Sequence, residues 1–289
     1  MIQGLDMTGS PSPVWLITGC STGIGREIAI AALEKGHRAV VTARKPAAVE
    51  DIRERFPDQV VVAALDVTDR DQIAGAIAAG TAAFGQIDVL CNNAGYGYMA
   101  AIEEGEEDEI RAMFEANFWG PLNLIRAILP RMRARKSGYI INISSQAGLM
   151  ANPGTAFYSA SKHAMEGMTE GLVKEVKKFG IRVTAVEPGP FRTEWAGGSL
   201  KQVKNPLPDY EDNVGARRAM IVKMFDKLPG DPKRAGQAIV SLYDLPEPPS
   251  QLLLGKVLYD TYRAKLDGVI ASLREWEAVT LATDFPPGE

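Results

Sequence analysis

The sequence predicts an α/β fold: a doubly wound, mostly parallel sheet of seven strands with helices on both faces, in one domain. Three observations predict it. Short apolar runs alternate with longer amphipathic stretches, the rhythm of βα units. The short runs are near-continuous in Val, Ile and Leu, as strands covered on both faces should be. The first run is followed by a glycine-rich turn and then by a helical pattern.

Val14-Trp-Leu-Ile-Thr18 is the first predicted strand, and a helix follows from about Ile24 to Lys35, stopped by Gly36. Arg38–Thr42 is the second strand, Val49–Phe56 a helix and Val60–Leu65 the third strand. An alanine-rich helix runs from Asp69 to Phe84, ahead of a fourth strand at Ile87–Cys91. Glu107 to Arg135 is long enough for a major helix, with Pro121 and Pro130 as candidate kinks. Gly138–Ser144 is a fifth strand, Ser159–Lys178 a helix, and Ile181–Val186 a sixth strand stopped by Pro188-Gly189. Between Arg192 and Pro232 the rhythm breaks at Gly197-Gly198, Pro206 and Pro208, and an insertion of that length reads as a substrate lid (192–232). Leu252-Leu-Leu254 is the seventh strand candidate, and a C-terminal helix (258–280) begins near Tyr259. Residues 1–13 read as a flexible arm ahead of a domain spanning 14–289.

With 289 residues, 46% of them hydrophobic and 24% charged, the chain suits one large globular domain with a sizeable core. A net charge of −4 argues against a broad phosphate-binding surface for nucleic acid. The basic run Arg131–Lys136 complements a helix C-terminus, and the acidic run Glu103–Glu109 reads as a solvated helix start. No apolar stretch approaches the roughly 18 residues of a membrane-spanning helix, and no signal peptide is evident. Cys20 and Cys91 both follow apolar runs, so two buried free thiols in a reducing, cytoplasmic setting are expected. His37 and His163 lack neighbouring ligands, so no metal is expected.

Tyr158 and Lys162 lie four residues apart, with Ser145 thirteen residues before the tyrosine. Helical i and i+4 positions share a face, so phenol and ammonium can meet at one site. A nearby cation favours the phenolate, which brings a group of ordinary pKa near ~10 toward acid–base work at neutral pH. The turn Thr18-Gly19-Cys-Ser-Thr-Gly23-Ile-Gly25 lets backbone approach a pyrophosphate at a helix N-terminus. At the end of the second strand stands Thr42-Ala43-Arg44-Lys45, with no carboxylate to bind ribose hydroxyls. Arg44 there favours NADP over NAD. Asn92-Asn-Ala-Gly95 ends the fourth strand, where either a structural tie or a ligand contact fits. Asn117 precedes Phe118-Trp119-Gly120 and is either a water-holding group or a satisfied core amide.

Taken in order and spacing, these motifs together with Pro188-Gly189 resemble the short-chain dehydrogenase/reductase family over residues 14–194. The resemblance implies a Rossmann-like fold holding cofactor and substrate in one domain. It implies Tyr158 as general acid/base, Lys162 as its modulator and nicotinamide-ribose ligand, Ser145 as the group polarising the substrate oxygen, and Asn117 as anchor of a water relay. For the cofactor it implies Gly19, Gly23, Ile24 and Gly25 at the pyrophosphate, Ser21 and Arg44 at the 2′-phosphate, and Asp66 with Val67 at the adenine. It adds Asn93, Ala94 and Gly95, then Pro188, Gly189 and Thr193 toward the nicotinamide. It also implies a homodimer or homotetramer.

The implied reaction is hydride transfer between a nicotinamide and a ketone or secondary alcohol, in the EC 1.1.1 class. Tyr98, Met150 and Trp195 lie beside these motifs and are candidates, with Ser145, for an apolar substrate pocket. The length of the chain and its Trp195 segment resemble the 17β-hydroxysteroid dehydrogenase-like branch. A different class of function, a non-catalytic NADP(H)-binding regulator, could keep the glycine turn but has no need of Asn117, Ser145, Tyr158 and Lys162 together.

Overall fold

The computed structural model describes residues 12–194, 198–224 and 227–285, apart from the side chain of Val222. Its elements run in order β1 (Val14–Ile17), α1 (Gly23–Glu34), β2 (Arg38–Ala43), α2 (Glu50–Arg55), β3 (Val60–Ala64), α3 (Arg70–Phe84) and β4 (Val89–Asn92). There follow β5 (Gly97–Met99), α4 (Glu107–Phe114), α5 (Gly120–Arg135), β6 (Gly138–Ile143), α6 (Ala156–Val176) and β7 (Ile181–Pro188). The remainder comprises β8 (Leu200–Gln202), α7 (Ala216–Met224), α8 (Pro232–Ser241), β9 (Gln251–Leu254), α9 (Lys256–Glu275) and α10 (Glu277–Leu281).

Seven strands form one sheet in the order β3-β2-β1-β4-β6-β7-β9, and every pairing in it is parallel. Successive side chains of a strand leave on opposite faces, so each strand feeds two cores. Trp15 and Ile17 join Ile28, Leu33 and Ile239 on the face covered by α1 and α8. Val14 and Leu16 join Ile77, Leu124, Ile128 and Leu172 on the face covered by α3, α5 and α6. Both cores are apolar, which is why these strands carry almost no alternation.

The expected long helix runs without a break from Glu107 to Arg135, but it is not uniformly α: a π turn at Glu115–Trp119 lies between α4 and α5, next to the candidate kink at Pro121. Pro121 has no N–H to return to the carbonyl four residues back, at Asn117, so the regular ladder fails just there. Within the stretch read as an insertion, β8 pairs parallel with β5 (Tyr98 opposite Lys201) in a separate two-stranded sheet. Both strands have only three residues, too short for a periodic signal. The C-terminal helix begins earlier than expected, at Lys256, and breaks at Trp276 before α10. No described helix is long and apolar enough to cross a membrane.

Strand order reverses between β1 and β4: the chain winds outward through β2 and β3, then returns to the other side of β1. A crevice outside the carboxyl ends of the strands is expected at such a point. The glycine turn after β1, the Asn92 segment after β4, Ser144-Ser145 after β6 and Pro188-Gly189 ending β7 all lie along that one edge.

Candidate active site

β6 delivers Ser144 and Ser145 to the sheet edge, and α6 lies across it with Tyr158 and Lys162 one turn apart. Tyr158 is 7% exposed and Lys162 4%. The Tyr158 hydroxyl is hydrogen-bonded to Ser145. Ser145 Oγ in turn accepts from the Ala147 N–H at 3.1 Å, which fixes its rotamer. Lys162 Nζ donates to the Ile143 carbonyl at 2.9 Å and stands 6.0 Å from the centre of the Tyr158 ring. Tyr158 and Lys162 therefore share one face of α6, and Ser145 meets Tyr158 from the end of β6.

The electrostatics differ from expectation. Burial pushes the Tyr158 phenol up to about 12, against a smaller lowering by Ser145. The expected depression by Lys162 is not what the geometry gives, because 6.0 Å and a carbonyl partner leave the ammonium aimed elsewhere. Lys162 itself is pushed down to about 8 by burial, partly countered by the charge of Glu166. Tyr158 is thus held in its protonated form at neutral pH.

Asn117 sits in the π turn, fully buried. Its Oδ1 accepts from the Tyr96 N–H at 3.0 Å, while its Nδ2 donates to the Tyr96 carbonyl at 2.9 Å. Nδ2 also donates to Ser161 Oγ at 3.1 Å, and Ser161 bonds back to the Tyr158 carbonyl at 2.7 Å. The amide thereby clamps the Gly95–Tyr96 backbone to α6 between Tyr158 and Lys162. Of the two readings open at the sequence level, the satisfied amide accounts for these bonds. Oδ1 still has a second lone pair for a solvent molecule.

The edge beside this trio fits a dinucleotide. α1 has no acidic residue in its first turn, and its N-cap Thr22 makes no side-chain capping bond. α3 and α8, by contrast, are capped by Asp69 and Asp231. The α1 N–H groups are therefore left for an anion. A Cβ on Gly25 would lie 2.2 Å from Asn93 Nδ2 and 2.5 Å from the Gly19 carbonyl, so only glycine lets the turn close this tightly. Asn93 Nδ2 donates to the carbonyls of Thr18 and Gly19, and Thr18 Oγ1 accepts from the N–H groups of Asn93 and Ala94. Asn93 and Ala94 thus build the turn, while Gly95 packs under Asn117 and Lys162.

Ser21 is exposed at the turn and Ile24 half-buried behind it. Arg44 is exposed at the end of β2, with its charge felt at the Tyr96 phenol. Asp66 Oδ1 accepts from Thr68 at both N–H and hydroxyl, and Val67 packs on Gly120 of α5. Gly189 N–H bonds to the Leu254 carbonyl at 2.9 Å, which ties the Pro188-Gly189 corner to β9. Thr193 comes back across Gly23.

The substrate side needs correcting. Tyr98 has no exposed surface: its hydroxyl is bound between the Glu106 carboxylate and N–H, and its ring stacks on Phe157. It backs the wall behind Tyr158 and does not line a pocket. Met150 is half-buried after Leu149, and Trp195 lies outside the described residues. Sequence reasoning missed Glu187, which is 0% exposed in β7 one residue before Pro188. Its signal was a carboxylate inside an apolar strand covered on both faces. No cluster of three metal-binding side chains occurs among the described residues.

A family model described as short chain dehydrogenase matches residues 13–204. A curated relative, the 3-ketodihydrosphingosine reductase of Bacteroides thetaiotaomicron, is 36% identical over 244 residues, which is 84% of this chain and 88% of its own. A solved short-chain dehydrogenase from Streptomyces avermitilis is 42% identical with a TM-score of 0.89, over 95% of this chain and all of that one. A serine dehydrogenase solved in complex with NADP+ is 26% identical with a TM-score of 0.72, over 83% of this chain and 94% of its own. The edge that gathers Ser145, Tyr158 and Lys162 beside an uncapped helix N-terminus agrees with these likenesses, and the chain belongs to the short-chain dehydrogenase family of oxidoreductases.

Proposed function

We propose that this chain is an NADP(H)-dependent oxidoreductase that interconverts a hydrophobic ketone and its secondary alcohol. The observation that carries the reading is the hydrogen bond between Ser145 and a buried, protonated Tyr158, with Lys162 held one turn further on. A nicotinamide cofactor, when bound, supplies or takes the hydride. Ser145 and Tyr158 converge on one point, so a carbonyl oxygen there receives two hydroxyl hydrogen bonds as negative charge develops on it. Tyr158 completes the reduction by giving its proton to that oxygen, and takes it back in oxidation. Lys162 holds a positive charge near the phenol that loses the proton, and Asn117 keeps the Gly95–Tyr96 wall in place beside a solvent path that refills it.

Arg44 supports the choice of NADP, because a guanidinium at the end of β2 can grip a phosphate where a carboxylate would repel it. Gly19, Ser21, Gly23, Ile24, Gly25, Asp66, Val67, Asn93, Ala94, Gly95, Pro188, Gly189 and Thr193 complete the proposed cofactor contour. Hydrophobic substrate chemistry is supported by the large hydrophobic side chains left exposed after Pro188, from Leu207 to Phe285, and by a relative named 3-ketodihydrosphingosine reductase. In this reading residues 192–232 form a lid, the enzyme works in the cytoplasm with its two cysteines reduced and buried, and it assembles as a homodimer or homotetramer. The test is NADPH oxidation against a panel of hydrophobic ketones, repeated with Tyr158→Phe. Turnover lost in that variant with NADPH still bound supports the mechanism, and an unchanged rate rejects it.

A further inference from the structure

Behind the proposed proton donor lies a second polar cluster, buried at Glu187 and Ser144 and half-buried at Glu166, that the reaction as described does not use. Glu166 follows Lys162 on α6 by four residues, as Lys162 follows Tyr158, so the three share one helix face. Glu187 reaches the same place from β7 with no exposed surface, and its carboxyl is in hydrogen-bonding contact with that of Glu166. No side chain donates to either oxygen of Glu187 or to Glu166 Oε1; the backbone N–H groups of Leu252 and Glu187 approach the Glu187 carboxyl and offset only part of its rise, while Glu166 Oε2 accepts weakly from Gln251 of β9 at 3.4 Å.

The neighbours close the cluster. Ser144, adjacent to Ser145, is buried with its Oγ unpartnered. A Cβ on Gly148 would sit 2.6 Å from that Oγ and 3.0 Å from Glu166 Oε1, so glycine is what allows the two to face each other. From α9, Tyr262 is near enough to feel the charge of both carboxyls, while Lys265 on the next turn spends its ammonium on the Leu149 carbonyl. The ionisable groups whose charges act on the pair are therefore Lys162 and Tyr262. Two carboxylates are both acceptors, and they hold a hydrogen-bonding distance out of water only with a proton between them.

We propose that Glu166 and Glu187 share one proton, and that the single negative charge of the pair keeps Lys162 protonated: the two are positioning residues for the acid–base step. This inference rests on the proposed function for its kinetic part alone. Burial and the neighbouring Glu166 hold the Glu187 carboxyl well above the usual carboxylate range, in agreement with a proton retained at neutral pH. The charge on Glu166 opposes the lowering that burial imposes on Lys162. Without that charge, Lys162 would lose its proton at lower pH, and the cation beside the donating phenol would go with it.

The consequence for stability has a definite sign. A carboxyl whose folded pKa is raised contributes most below its unfolded value, near ~4.3, and loses that contribution as pH rises toward the folded pKa. Glu187→Gln cannot ionise yet can still donate to Glu166. The ligand-free E187Q protein should therefore gain melting temperature relative to wild type at pH 8 and show little difference at pH 4.5. Infrared spectra of the wild type at pH 7 should contain the carbonyl stretch of a protonated buried acid, and E187Q should lack it. In NADPH-dependent reduction, the alkaline fall of the rate should move down by about one pH unit in the E166Q/E187Q double variant. E187Q alone should restore the wild-type position of that limb. Parallel melting curves at both pH values for E187Q and wild type, or no acid band, would overturn the shared proton whatever the enzyme turns over. An unmoved alkaline limb in a double variant with wild-type circular dichroism would overturn the link to Lys162. Only an unimpaired Tyr158→Phe enzyme would overturn the catalytic reading beneath it.

Discussion

The stretches before and after Pro188 spend their apolar residues in opposite ways. Among the described residues, only Ile102 and Trp119 before it are large hydrophobics left exposed, whereas fourteen follow it, from Leu207 to Phe285. The first stretch supplies six of the seven sheet strands and every member of the proposed proton apparatus. The second adds one edge strand, a helix docked on α1, and a 20-residue helix in which only Leu258 is fully buried. A chemistry shared by a family requires the same atoms in every member, so its scaffold is closed and dense. Recognition requires surface, and apolar surface left in water is the feature that marks a place of contact.

Four measurements test this division between a closed scaffold and an open surface, in order of decreasing size. Tyr158→Phe should lower kcat by about 10²- to 10⁴-fold, as expected for loss of a general acid, and leave NADPH binding within a factor of a few. Leu90→Ala, in fully buried β4, should cost about 2–5 kcal/mol in urea denaturation. Arg44→Ala should weaken NADPH binding by about 1.5–3 kcal/mol, roughly 10- to 100-fold, and leave NADH binding little changed. If the two cofactors bind equally before the change, the role given to Arg44 is wrong. Leu273→Ser, 63% exposed on α9, should alter stability by no more than ~0.5 kcal/mol. A cost approaching that of Leu90→Ala would mean that another copy of the chain covers this helix in solution, and the contrast across Pro188 would then describe a protomer and not the assembly.

What the sequence revealed divides along the same line. The six strands of the main sheet between Val14 and Pro188 were legible because burial on both faces leaves uninterrupted Val, Ile and Leu. α8 has no counterpart in the sequence reading, although Asp231 and Pro232 form a helix start and Gly236 stands in its middle. That glycine is a packing device: a Cβ there would come within 2.6 Å of the Glu27 backbone on α1. Tyr98 was misjudged because proximity to a motif along the chain does not say which way a three-residue strand turns its side chains. Tyr158 and Lys162 share a helix face as their spacing implies, yet the balance between burial and charge at the phenol depends on the 6.0 Å separation and on Ile143, neither of which spacing contains. Glu187 was invisible as a partner because Glu166 lies in another element, and only the fold brings them together.

The π turn at Glu115–Trp119 carries a consequence for how such a site could arise or be lost. One residue more than an α-helix needs is accommodated there, and Asn117 lies within the widened loop. Deleting a single residue between Phe114 and Gly120 would restore a continuous helix and rotate everything on one side of it by about 100° relative to the other. The amide would swing away from Tyr96 and Ser161 although asparagine itself remained in the chain. Its reach thus depends on the length of the segment as much as on its composition, a dependence that no scan of point substitutions would expose.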